Sequence, residues 1–315
     1  MNLEIDQVHH NPLSPLGPPA WGWEIAVYLF LGGITAGLMI LSVLIDRRVP
    51  ASERSRWTRW LPLAAPVLLS IGMLALFIDL EYRLHAYRFY LAFMWTAPMS
   101  WGSWILLAIY PATLLYAAGQ LTDDEIDDLG TITGLRRLRV ASLVGWGKAW
   151  AGRHAAGLAG ANVILGIALG SYTGILLSTL AARAAWNSAI LAPLFLVSGL
   201  STGAALMMLF PIAHREHALL RNWDLAAIGV ELTLLALLLI DLASGDAAGR
   251  GAAALLLGGR LTAPFWSLVV IAGLTVPLLV ETVELRRKLS PTVFAPVLLL
   301  VGGLSLRWIL LAAGQ

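Results

Sequence analysis

The stretch WGWEIAVYLFLGGITAGLMILSVLI, residues 21–45, carries a single charged side chain, Glu24. As an α-helix rising about 1.5 Å per residue it reaches roughly 37 Å, enough to cross a hydrocarbon layer about 30 Å thick. Seven further apolar windows follow, at residues 60–83, 98–119, 154–178, 186–211, 223–243, 263–285 and 291–313. In lipid only helices and closed barrels satisfy every backbone group, and these runs are too long and too evenly apolar for barrel strands. The sequence therefore predicts an all-α integral membrane protein with eight transmembrane helices. Pro66, Pro111, Pro193 and Pro277 fall inside the windows, which bilayer helices tolerate. Composition agrees: 58% of the 315 residues are hydrophobic and 13% charged, against about 25% charged in soluble domains.

The charges lie between the spans. Connections after the first, third, fifth and seventh windows hold fifteen of the 21 Lys and Arg residues. The opposite side holds Arg83, Arg88, Arg183, Arg250 and Arg260, and Arg307 lies inside the last window. By the positive-inside rule both termini are expected in the periplasm of a bacterial-type inner membrane. The net charge of +2 forms no single basic face, which argues against nucleic acid as a partner. With no cysteine, the chain holds neither a disulfide nor a cysteine-ligated cluster, so any iron–sulfur centre belongs to another subunit. The first 20 residues, acidic and proline-rich, read as a periplasmic segment ahead of a signal anchor. The acidic run Asp123, Asp124, Glu125, Asp127, Asp128, followed by Arg136, Arg137 and Arg139, reads as a solvated cytoplasmic segment with a structural role.

An internal repeat appears at an offset of 166 residues. Gly33 and Gly37 fall on Gly199 and Gly203, Thr96-Ala97-Pro98 on Thr262-Ala263-Pro264, and Pro111 on Pro277. Four spans per unit give both units one orientation, so the expected fold is two parallel-repeat four-helix bundles, 21–178 and 179–315, related by an axis along the membrane normal. The Gly-x-x-x-Gly spacings read as seams where backbones approach.

Ionisable groups inside spans are costly, which makes them candidates for function. At the expected periplasmic level of the first four spans stand Trp21, Trp23, Glu24, Asp79, Glu81, Arg83, Ser100, Trp101, Ser103, Tyr172 and Thr173. Polar and aromatic groups converging at one level suit a ligand with a polar head and an apolar tail. Tyrosine and carboxylate could bond a quinone head, and the carboxylate could take protons released on quinol oxidation. The bland reading is that the tryptophans form an interfacial belt, that Arg83 snorkels, and that Asp79 pairs with Arg83 four residues on. In the second unit Asp241 and Arg307 are expected to form an ion pair at the same level, while Glu231, deeper in the sixth span, is a proton-path candidate or a polar packing contact. His9, His10, His85, His154, His214 and His217 all sit in loops or at span ends, so no pair is placed to clamp a haem. No motif for a metal or a dinucleotide stands in a suitable context.

At these residues the chain resembles the NrfD/PsrC family of respiratory membrane subunits. The likeness runs through Trp21-Gly22-Trp23-Glu24, Tyr28-Leu29-Phe30-Leu31-Gly32-Gly33, Ala36-Gly37, Asp79-Leu80 and Ala97-Pro98-Met99-Ser100-Trp101-Gly102-Ser103-Trp104. It continues through Ser171-Tyr172-Thr173-Gly174, Gly302-Gly303, Arg307 and Ala313-Gly314-Gln315, covering nearly the whole chain. The resemblance implies eight or more spans without haem. It also implies electron exchange between the quinone pool, menaquinone or ubiquinone, and a ferredoxin-like iron–sulfur subunit that serves a molybdopterin or other catalytic subunit. Tyr172 is the residue it implies most directly as a quinone-head ligand, with Thr173, Glu24, Trp21, Tyr28, Asp79 and Trp101 around it. Asp79, Glu81, Arg83, Glu231 and Asp241 are the candidates for proton transfer.

The expected function is thus a quinone-reactive membrane anchor that holds no resident cofactor or metal of its own. Two rivals stand beside it. A secondary transporter would use the repeat and the buried carboxylates, but neither half has the paired, broken core spans that mark a midplane substrate site. A purely structural anchor would need no site at all. A neighbouring gene for an iron–sulfur subunit favours either anchor over transport.

Overall fold

The computed structural model of the chain describes residues 21–80, 83–85, 87, 91, 94, 97–132, 140–179 and 183–315. Among the described residues it is helical, and eight helices are long and apolar enough to cross a membrane. They are α1 (Trp23–Arg48), α2 (Arg56–Asp79) and α3 (Pro98–Gln120), then, after the short α4 (Asp123–Ile132) and α5 (Val140–Arg153), α6 (Ala155–Ser178). The second half holds α7 (Leu191–Met208), α8 (His214–Ser244), the short α9 (Ala247–Leu257), α10 (Thr262–Arg287) and α11 (Phe294–Ala313).

The apolar windows find all eight spans and misjudge some ends. α8 starts at His214, not near 223, because Glu216 supplies a cap that Ala213 cannot. The Glu216 carboxylate accepts from the Ala213 amide at 2.8 Å, the Ser55 amide at 3.1 Å and the Thr58 hydroxyl at 2.6 Å. One fully buried carboxylate thereby ties the first turn of α8 to the start of α2. Conversely, α2 stops at Asp79, where Leu80 turns extended, rather than running to 83. Asp79 is therefore the last helical residue and does not sit one turn inside. The expected i,i+4 pair fails for the same reason: Arg83, in a separate short turn, donates to the Ile78 carbonyl at 2.7 Å.

Lipid tails are as apolar as leucine, so helix association in a bilayer rests on close packing and polar contacts between helices. α1 is the axle of this bundle, packing on α2 and α6 of the first half and on α7 and α11 of the second. Where α1 crosses α7, Gly33 and Gly37 lie against Gly199 and Gly203. A Cβ at Gly33 would come within 3.4 Å of the Gly199 Cα, and one at Gly203 within 2.6 Å of the Gly37 Cα. The positions that the 166-residue offset equates thus touch one another. Polar stitches add to this: Thr35 donates to the Ala65 carbonyl at 3.3 Å, and Asn162 on α6 donates to the Ala112 carbonyl on α3 at 3.1 Å.

In α10 the residues Phe265–Thr275 form a wider π turn that leads into Pro277. Proline offers no amide to the helix ladder and crowds the preceding turn, and a π segment is one way to accommodate it. The Thr275 hydroxyl donates to the Val270 carbonyl at 2.7 Å, and the widened turn lies directly on Gly302 of α11.

The acidic run takes a structural role at the arginine-rich end, but as a helix. Thr122 caps α4 and Glu125 completes the box, accepting from the Thr122 amide at 2.9 Å. Glu125 also receives both nitrogens of a forked contact from Arg59, at 2.9–3.1 Å. Burial alone would raise its pKa; the Arg59 and Thr122 hydrogen bonds outweigh burial and hold it below the usual glutamate value. Arg56 pairs with Asp128, Lys148 with Asp123 and Arg54 with Asp46 around it.

Candidate functional site

At the opposite end from these ion pairs, α1, α2, α3 and α6 enclose a cavity of about 230 Å³. Its wall is mostly apolar, with Ile25, Leu29, Met73, Leu76, Leu106 and Leu177, and carries polar groups from all four helices: Tyr28, Asp79, Ser103, Tyr172 and Thr173, with Trp21 at the rim. Asp79 and Leu80 reach it because α2 ends there. Ser103 is held by its own hydrogen bond to the Ser100 carbonyl at 2.7 Å.

Tyr172 is buried, and its place is set by what lies behind it. The ring rests on the backbone of Gly102, where any Cβ would overlap the phenol carbons and hydroxyl. Trp101 meets the same ring edge-on, with centroids 6.0 Å apart and planes at 69°. Trp21 is fixed from the chain's far end. Its indole stacks on Trp186 at 4.9 Å, and its carbonyl accepts from the Gln315 side chain at 2.9 Å. Trp186 donates to the Leu310 carbonyl at 2.8 Å and lies flat against Gly314, which leaves no space for a side chain there. The Gly314-Gln315 ending thus serves the cavity rim although it belongs to the last span.

Five of the residues expected around a ligand, Trp21, Tyr28, Asp79, Tyr172 and Thr173, line this one cavity. Trp101 stands behind Tyr172 instead of lining the space. Glu24 is half-buried and does not line it either, but is close enough to Asp79 to act on it electrostatically. Glu81 lies outside the described residues, and Arg83 is exposed. Glu231 is elsewhere, buried on α8 beside Ser198 and within electrostatic reach of Arg307. The expected Asp241–Arg307 ion pair is not formed. Asp241 is exposed and accepts from the Ser188 hydroxyl at 2.7 Å. Arg307, fully buried, donates to the carbonyls of Leu29 and Gly303 and to the Ser198 hydroxyl, and sits between the rings of Phe30 and Phe195. Asp241 is turned outward on α8, whereas Arg307 is turned into the bundle from α11.

Among the buried carboxyls that escaped the sequence reading are Asp224 and Glu281, at 0% and 2% exposure. The signal was available, since both fall within apolar windows. Among the described residues no group of three or more His, Asp or Glu is arranged to hold a metal ion.

A family model described as "Polysulphide reductase, NrfD" matches residues 10–315. The chain belongs to the NrfD/PsrC family. Among its relatives, the C subunit of polysulfide reductase from Wolinella succinogenes is 28% identical over 311 residues, covering 94% of each protein. Protein NrfD of Escherichia coli is 32% identical over 306 residues, covering 94% of this chain and 95% of that one. The NrfD homolog of Haemophilus influenzae is 27% identical over the whole of this chain and 99% of its own. An NrfD/PsrC protein with these eight helices is a multi-pass membrane protein of the class associated with respiratory oxidoreductases.

Proposed function

We propose that this chain is the quinone-reactive membrane anchor of a respiratory oxidoreductase, exchanging electrons between the quinone pool and an extrinsic ferredoxin-like iron–sulfur subunit that in turn serves a catalytic, molybdopterin-type subunit. One observation carries the reading: four spans bring Tyr172, Thr173, Tyr28, Trp21 and Asp79 around a single apolar cavity at one end of the bundle. Its volume is below the 300–1,000 Å³ or so of sites that bury a whole drug-sized ligand, and suits a ring-sized head group with its tail outside.

Oxidation of a quinol releases two electrons and two protons. The Tyr172 and Thr173 hydroxyls are the groups that would bond the head oxygen and fix the ring, with Trp101 and Gly102 holding Tyr172 in register. Asp79, beside Glu24 at the end of α2, accepts the two protons in turn, passing the first to water before it takes the second. The electrons leave to a partner, because a chain without cysteine or a haem-clamping histidine pair has no carrier to receive them. The Wolinella relative bears the name of one lettered component of a polysulfide reductase, which supports this division of labour. In this reading the cavity end and both termini face the periplasm, the arginine-rich end faces the cytoplasm, and 21–178 and 179–315 are the two units of a parallel repeat.

Tyr172→Phe in the assembled complex tests it. The ring and its packing stay while one hydroxyl goes, which is worth about 1 kcal/mol and hence about five-fold in quinone-linked turnover. Electron delivery to a dye that acts upstream of the membrane should be unchanged. Equal losses in both assays would make Tyr172 structural, and no loss in either would move the quinone away from this cavity.

A further inference from the structure

At the arginine-rich end, α1, α3 and the connection from α1 into α2 close around a void of about 10 Å³. Its polar wall comes from Ser42 and Asp46 on α1, Arg54, Thr58 and Arg59 at the entry to α2, and Tyr116 and Gln120 on α3. Most of these groups are already paired. Arg54 Nη1 bridges the two helices, donating to the Asp46 carboxylate and, at 2.8 Å, to the Gln120 side-chain carbonyl. Thr58 bonds the Glu216 carboxylate at 2.6 Å. Arg59 holds Glu125 in its fork and donates to the Arg54 carbonyl at 2.9 Å.

Three polar atoms on the wall are left over: the Ser42 hydroxyl, the Tyr116 hydroxyl and Arg54 Nε. Each is buried without a hydrogen-bond partner among the described residues, and Ser42 and Tyr116 are only 5% and 4% exposed. The Tyr116 ring packs among Val43, Ala151 and Leu158, which holds its hydroxyl at the void. A buried polar group left unpaired costs its full desolvation, so folded chains leave few of them, and three around one space point to something that bonds them.

The chemistry of the wall selects the occupant. Arg54 Nε can only donate, whereas each hydroxyl can give or take a hydrogen. A metal cation would face the guanidinium. A halide could accept from all three groups, but the Asp46 carboxylate on the same wall repels it. A water accepts from Nε–H and from one hydroxyl and donates to the other. Buried waters make about three hydrogen bonds and need roughly 10–15 Å³, which this void meets.

We propose that the void is a binding site for a single water molecule, held by Arg54 Nε, Tyr116 and Ser42, which fastens α1 and α3 to the connection leading into α2. One guanidinium then joins both helices twice, directly through Nη1 and by the water through Nε. The site lies at the other end of the bundle from the cavity and stands whether or not that cavity takes a quinone.

The test uses the full chain in lipid nanodiscs. X-ray pulses make hydroxyl radicals from water wherever it is bound, so mass spectrometry should find Tyr116 oxidised far beyond what its burial allows. Phe265, at 1% exposure, should stay unmodified. An unmodified Tyr116 beside a labelled Tyr87, which is exposed, overturns the proposal without needing any variant. Ser42→Val puts carbon into the void and should cut Tyr116 oxidation several-fold; oxidation that persists at the wild-type level overturns the site. Melting supplies the sign. Tyr116→Phe removes a bonded hydroxyl and should lower the melting temperature by about 2–4 °C. Without the water that hydroxyl would be an orphan, so an unchanged or raised melting temperature counts against the proposal. Exchange of chloride for gluconate should leave melting unaltered. A wild-type melting temperature that falls without chloride, while that of Tyr116→Phe does not, would make the occupant a halide and overturn the assignment to water.

Discussion

The ring of Tyr172 lies directly on the backbone of Gly102, so the tyrosine of one span is positioned by the absence of a side chain on another. Gly102→Ala puts a methyl group where the phenol now sits. The ring must swing away or α3 and α6 must part, at a cost of about 1–3 kcal/mol for overpacking. Quinone-linked turnover should therefore fall further in Gly102→Ala than in Tyr172→Phe, although Gly102 offers no group to a ligand. Steady-state turnover with a short-chain quinol, compared across the two variants, checks the order.

The eight spans and the use of the Gly-x-x-x-Gly spacings as packing seams were legible in the sequence, because span length and small-residue spacing are local properties that lipid enforces; that Gly33 and Gly37 meet Gly199 and Gly203 was not. Most of the cavity was legible too: Trp21, Asp79 and Tyr172 stand at the same level in helices whose order fixes their height. Rotation about each helix axis was not. The sequence puts Asp241 and Arg307 at one height, yet Asp241 faces outward while Arg307 turns in towards Phe30 and Phe195. Helix ends were also out of reach where a distant side chain decides them, as Glu216 does for α8 through Ser55 and Thr58. Asp224 and Glu281 could have been flagged singly, but their apposition depends on how α8 and α10 rotate.

At the arginine-rich end, α4 is fastened by Glu125, whose pKa is held below the usual value by Arg59 and Thr122. A carboxyl with a folded pKa below its unfolded value of 4.5 contributes stability that is complete above that value and is lost as pH falls through the folded pKa. Amide exchange in Asp123–Ile132 should therefore be flat from neutral pH down to about 4.5 after correction for intrinsic rates, and should rise below it. Glu125→Gln should abolish that acid transition and weaken docking by about 2 kcal/mol at neutral pH.

The arginine distribution predicts the proposed orientation, and this can be read without any partner. A reporter fused after Gln315 should be active in the periplasm, and one inserted at Asp127 in the cytoplasm. The reverse pattern would put the cavity and its docking subunit on the other side of the membrane.

The rim of the cavity depends on the last residues of the chain. Trp186 lies against Gly314 and stacks on Trp21, while Gln315 donates to the Trp21 carbonyl and its own carbonyl accepts from Arg183 at 3.0 Å. A side chain at position 314 would drive the Trp186 indole from its place and take with it the stack that holds Trp21 over the cavity. None of these groups moves a proton, so the loss should appear in binding more than in chemistry. Gly314→Val should raise the KM for quinol several-fold, as expected for about 1 kcal/mol of lost stacking and packing, with kcat nearly unchanged. Gln315→Ala, which removes one hydrogen bond and leaves the stack, should do the same more weakly. A fall in kcat at constant KM would instead mean that the C-terminal clamp acts on the Tyr172 and Asp79 side of the cavity, and a fall in dye-linked turnover would mean that it holds the partner subunit.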